Sequence, residues 1–94
     1  MPASAGAYRL TRRAESDLEE IWLYSCKRWS AQQANRYHRL ISQVIEVLSQ
    51  GARKGVAIDD IRPGYLRHPV GVHVIFFRRQ GDSITVVRVL HERT

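Results

Sequence analysis

One cysteine, Cys26, is all the sulfur-bonding capacity in the sequence. An internal disulfide framework is therefore excluded, and a reducing compartment fits. Four scattered histidines and that cysteine show no metal-ligand spacing, and no glycine-rich phosphate loop is present, so neither a metal nor another cofactor is expected. No apolar run approaches the ~20 residues a membrane span needs. Residues 1–7 are small and uncharged, too short and too weakly apolar for a secretory signal, and are expected to be flexible. Internal repeats and low-complexity segments are also missing. A soluble cytoplasmic protein is the expectation, with residues 1–94 forming one domain whose core buries about two thirds of the unfolded surface.

Lysine is scarce too: thirteen of the fifteen basic residues are arginine. The formal charge is +6, and the excess leans towards the second half of the chain. Arginine suits bidentate pairing with carboxylate or phosphate. Charge alone leaves open nucleic acid, an acidic protein segment or a merely solvated basic surface.

Residues 8–10 alternate apolar and polar, which predicts an edge strand. Thr11 is a fair N-cap. From Arg12 the positions Ala14, Leu18, Ile21, Trp22 and Ser25 fall at helical spacing, predicting a helix over residues 12–28. Ser30-Ala31-Gln32-Gln33 reads as a capping box for a second helix, with Ala34, Tyr37, Ile41, Val44, Ile45 and Leu48 as its stripe and Gly51 as its stop. So short a connection predicts an antiparallel helical hairpin. Residues 52–60 read as a loop that leads into the turn Arg62-Pro63-Gly64.

Residues 65–68 suggest a short strand that Pro69 ends or leaves on an edge. Residues 72–79 and 83–91 are rich in Val, Ile and Phe, and the break Gln80-Gly81-Asp82 between them signals a β-hairpin. Both faces of that hairpin are apolar: Val72, Val74 and Phe76 against Ile75 and Phe77 on one strand, Ile84, Val86 and Leu90 against Val87 and Val89 on the other. Such strands need cover on both sides. The element order is β-α-α-β-β-β, an α+β fold with two antiparallel helices on one face of a small antiparallel sheet. The second face is expected to be open and to need a partner.

Several stretches together match a known pattern. They are Leu10-Thr11 with Ala14-Glu15 and Asp17-Leu18-Glu19-Glu20-Ile21-Trp22; Arg28-Trp29 with Gln33-Ala34 and Arg36-Tyr37; Asp59-Asp60-Ile61-Arg62-Pro63-Gly64-Tyr65-Leu66-Arg67; Pro69-Val70-Gly71; Ile75-Phe76-Phe77-Arg78; and Val87-Arg88-Val89-Leu90-His91. In this order and spacing the chain resembles the ParE-like toxins of the RelE/ParE superfamily, from bacterial type II toxin–antitoxin modules. The resemblance implies growth inhibition and neutralisation by a ParD-like antitoxin, whose acidic and apolar C-terminal segment wraps an open groove in a hetero-oligomer. It implies DNA gyrase as the target and no sequence-specific DNA binding by the toxin itself. RelE-like relatives instead cleave messenger RNA on the ribosome.

A metal-independent endoribonuclease would need a base, an acid and cations for the developing phosphorane charge. The candidates are His91, His73, His68, Arg78, Arg88, Arg62, Arg67 and Lys54. His91 with Arg78 is the pair expected to lie close together in that case; otherwise Arg78 pairs with Asp59, Asp60 or the helix acids. The lysine and arginine cluster of the nuclease branch is represented only by Arg53-Lys54, so no catalytic residue is expected. Antitoxin contact is assigned to Arg67, Val74, Phe76, Arg78 and Arg88, and target contact to Leu90, His91 and Arg93. Arg62 is expected to tie its loop down through Asp59 or Asp60, and Trp22 and Tyr37 to pack in the core.

Overall fold

The computed structural model describes residues 7–93. β1 (Ala7–Leu10) leads through Thr11 into α1 (Arg12–Arg28), and two residues later α2 (Ala31–Ser49) begins. There follow β2 (Val56–Ala57), β3 (Leu66–Val70), β4 (His73–Gln80) and β5 (Ser83–His91). The sheet runs β1-β5-β4-β3-β2. Of the residues expected to be flexible, 1–6 lie outside the described residues, and Ala7 opens β1.

Both helix starts form as their side chains dictate. Thr11 Oγ1 accepts from the Ala14 amide at 3.0 Å and donates to the Val87 carbonyl at 2.8 Å, so one hydroxyl caps α1 and ties it to β5. Ser30 Oγ accepts from the Gln33 amide at 3.0 Å. Arg79 donates to the Leu48 carbonyl at 3.0 Å, which also accepts from the Gly51 amide at 3.1 Å, so the end of α2 is tied to β4.

The apolar stripes of the helices meet one face of the sheet. Ala14, Leu18, Ile41, Ile45 and Leu48 close over Val70, Ile75, Phe77, Ile84, Val86 and Val89. Three details depart from expectation, and at Pro69 the structure decides between two alternatives in favour of an edge position. β1 pairs parallel with β5, Tyr8 opposite Ile84 and Leu10 opposite Val86, so the sheet is mixed at that edge. A two-residue strand, β2, forms in the stretch expected to be loop, against Leu66 and Arg67. β3 runs on through Pro69, because β2 covers only those two residues and a proline lacking N–H is tolerated on the uncovered side. Finally, the β4–β5 register shifts: Phe77 faces Val86 but Phe76 faces Arg88, leaving Val87 as the extra residue of a bulge. The bulge resets the alternation, so Val89 rather than Leu90 joins Ile84 and Val86 in the core.

Candidate functional site

Strand alternation puts Val74, Phe76 and Arg78 of β4, Arg67 of β3 and Arg9 of β1 on the face away from the helices. That face is less greasy than expected. Val74 is only 7% exposed and Phe76 is half-buried, whereas the three arginines are exposed. The strongly exposed apolar side chains of this end of the molecule lie elsewhere. Tyr24 and Trp29 are each 66% exposed and Val72 is 48% exposed, and all three rim a groove of about 650 Å³. The groove opens between the end of α1, the start of α2, the β3–β4 turn and the end of β5, and Arg88, Leu90 and His91 line it.

Its floor is a hydrogen-bonded cluster. The Tyr37 hydroxyl from α2 lies 2.7 Å from His73 Nδ1, 3.2 Å from the Val70 carbonyl and 3.2 Å from the Val72 amide, which donates to it. It can approach this closely because residue 71 is glycine. A Cβ there would sit 2.5 Å from the hydroxyl, and the backbone at φ +57° also favours glycine. The His73 ring meets the His91 ring edge-on, with centroids 5.4 Å apart. His91 Nδ1 accepts from the Arg93 amide at 3.1 Å, which places the proton of neutral His91 on Nε2. Burial first, then the neighbouring His91, push the His73 pKa down. Burial pushes that of Tyr37 up.

One wall is held by Asp17. Its carboxylate takes both Nε (2.7 Å) and Nη2 (2.9 Å) of Arg88 and also the Val89 amide at 3.0 Å. Burial opposes ionisation of Asp17, but Arg88 and the amide outweigh it, and the carboxyl is held below its usual range. β1 pairs with β5 only as far as Val86, so Asp17 satisfies an amide that has no strand neighbour.

The residues assigned from sequence therefore fall into two groups. Arg88, Leu90 and His91 line the groove, with Arg93 just beyond; Arg67, Val74, Phe76 and Arg78 lie on the outer sheet face. The proximity expected of His91 and Arg78 does not occur. Antiparallel pairing sets His91 opposite His73, at the start of β4, and Arg78 opposite Thr85. Five residues at ~3.4 Å separate His73 from Arg78, so the pair stands on the order of 17 Å apart. Nor does Arg78 pair with an acid: among the described residues the one ion pair is Asp17–Arg88. Arg62 lies over the Tyr65 ring at 5.4 Å, and Asp59 secures that loop by accepting from the Gly64 amide at 2.9 Å. Trp22 is half-buried, its Nε1 donating to Asn35 Oδ1 at 2.8 Å.

Sequence reasoning missed Asp17, Tyr24 and Val72 as groove residues and placed Trp29 only at the helix junction. A signal for Asp17 was present, since its i−3 and i+4 neighbours Ala14 and Ile21 put it beside the apolar stripe. Tyr24 lies off that stripe, which marks it as exposed. No described helix is long and apolar enough to cross a membrane.

The family model for the ParE toxin of the type II toxin–antitoxin system parDE matches residues 8–94. This chain belongs to that family. Toxin ParE1 of Caulobacter vibrioides is 41% identical over 85 residues, covering 90% of this chain and 88% of that one. Toxin ParE1 of Mycobacterium tuberculosis is 42% identical over 87 residues, covering 92% and 89%. Toxin ParE of Escherichia coli is 34% identical over 88 residues, covering 93% and 85%. Among solved structures, a chain from the chromosomal ParDE toxin–antitoxin system of P. aeruginosa superimposes with a TM-score of 0.78 at 22% identity, over 94% of this chain and 98% of that one. That likeness establishes the two-helix, five-stranded ParE fold.

Proposed function

We propose that this ParE-family toxin acts by binding, not by chemistry: it inhibits DNA gyrase through the end of β5, and a ParD-like antitoxin silences it by filling the groove. The observation that carries this reading is that Leu90 and His91 line the same groove as the exposed Tyr24, Trp29 and Val72. An antitoxin segment drawn to those hydrophobes covers the target-contact residues as it docks. The segment suited to it is apolar where it meets Trp29 and acidic where it meets Arg28. Neutralisation and target contact then compete for one surface, which would act in the cytoplasm, where DNA and gyrase are found.

Support for a non-catalytic role comes from the separation of His91 and Arg78 along the strands. In the Tyr37–His73–His91 cluster, the Tyr37 hydroxyl and both histidine Nδ1 atoms are engaged within the protein. The test is a supercoiling assay with purified gyrase. The expected result is inhibition by the chain, relieved by stoichiometric antitoxin and weakened by Leu90→Ala. Cleavage of translated messages with supercoiling unaffected would instead establish the nuclease activity of the RelE-like branch.

A further inference from the structure

Arg88 and Leu90, opposite Phe76 and Val74, line the groove, but Arg9, Arg67, Phe76 and Arg78 on the rest of the outer face do not, and the chemistry there differs. None of the five strands contains an aspartate or glutamate, whereas they carry five arginines. Two of the five are engaged: Arg79 with the Leu48 carbonyl and Arg88 with Asp17. Arg9, Arg67 and Arg78 are exposed, face away from the helices and have no carboxylate partner among the described residues. Register fixes their arrangement. Arg9 and Arg78 both stand opposite Thr85, one strand to either side, which places their backbones ~10 Å apart. Arg67 stands opposite Phe76 on β3, and Arg78 lies two residues along β4 on the same face, so the half-buried Phe76 has an exposed arginine beside it in each of these two directions.

We infer that this face binds single-stranded nucleic acid, with Phe76 as a stacking platform and Arg9, Arg67 and Arg78 as phosphate contacts. A sheet face with an aromatic ring flanked by cations is what unpaired bases and their backbone need. An acidic peptide is less well served. Val74 is covered, Phe76 is partly so, and exposed side-chain ion pairs add little on their own. Phosphates gain from bidentate arginine contact and from counterion release, neither of which requires an apolar surface. Binding is sequence-tolerant, because every base has a face to stack.

The experiment is fluorescence anisotropy of a labelled oligo-dT of about twelve nucleotides, titrated with the full chain across salt from roughly 50 to 200 mM. Three phosphate contacts give a slope of log K against log salt of about −2, falling to about −0.7 in Arg67→Ala/Arg78→Ala, with at least a roughly tenfold loss of affinity at the lowest salt. Phe76→Leu keeps the apolar volume and weakens binding about tenfold with the slope unchanged, and Phe76→Tyr, which keeps the ring, retains it. The charge-matched control Arg36→Ala/Arg39→Ala lies on α2, across the sheet, and leaves affinity within about twofold; melting curves confirm that each variant is folded. The inference is overturned if that control weakens binding as much as Arg67→Ala/Arg78→Ala. It is equally overturned if Phe76→Leu binds like the parent, or if oligo-glutamate of the same length displaces the oligonucleotide at equal concentration, which would make an acidic protein segment the occupant.

Discussion

Two glycines with similar backbones separate a steric demand from a conformational one. Gly71 and Gly81 both lie at positive φ, +57° and +61°, but a Cβ at Gly81 meets nothing within 4 Å, whereas at Gly71 it meets Tyr37. Gly81→Ala should therefore cost only the left-handed penalty of about 1 kcal/mol. Gly71→Ala must also displace the Tyr37 ring, and about 3 kcal/mol or more is expected in chemical denaturation. Tyr37→Phe removes the hydroxyl and with it the part-buried bonds to His73 Nδ1 and the Val70 carbonyl, a loss of about 1–2 kcal/mol. His73 supplies a pH dependence. Its pKa is lower in the folded state than in the unfolded chain, so its contribution to stability is present above the unfolded value near 6.5 and is lost as pH falls towards and through the folded one. Tyr37, His91 and Glu92 face it, and Glu92 partly offsets the effect. Denaturation midpoints between about pH 7.5 and 5 should drop more steeply for the parent than for His73→Gln.

Among the elements, the contact of α1 with β5 adds a carboxylate to the Thr11 hydroxyl and the apolar packing of Ala14 and Leu18. Asp17 is depressed in the folded state, so its stabilisation is present above the unfolded pKa of about 3.9 and disappears as pH falls through the folded value. Asp17→Asn should lose about 1–3 kcal/mol at neutral pH and flatten the acid limb of the stability curve. The helices were legible from sequence because period, cap and stop agree: Thr11, Ser30 and the two apolar stripes specify α1 and α2 without tertiary help. The strands were less so. Nothing local in Val56-Ala57 announces β2, which exists only because Leu66 and Arg67 offer it an edge. The parallel pairing of β1 is a long-range choice. A bulge has no signature in a run of β-branched residues, so the assignment of Leu90 and Val89 to faces had to fail beyond Val87. The expected His91–Arg78 pair failed for a different reason: antiparallel pairing sends the end of one strand to the start of the other.

For the molecule as a whole, the groove predicts how the free protein behaves. Trp29 is exposed, with Arg28 lying 5.6 Å over its ring. Trp29→Ala should therefore change stability by no more than about 1 kcal/mol. Affinity for a ParD-like antitoxin, measured by calorimetry, should nonetheless fall at least about tenfold, as expected for an aromatic anchor. Left alone, the chain should self-associate through Tyr24, Trp29 and Val72, and sedimentation should show a smaller, defined species once antitoxin is added. The pairing of β1 with β5 bears on when this toxin can exist. β5 is translated after the other four described strands, yet it lies between β1 and β4 and supplies Ile84, Val86 and Val89 to the core. A nascent polypeptide halted before residue 83 lacks the strand that joins β1 to β4 and the core side chains that β5 carries. Abortive products of its messenger should be unfolded and inert, and growth arrest on expression is expected only when β5 is included.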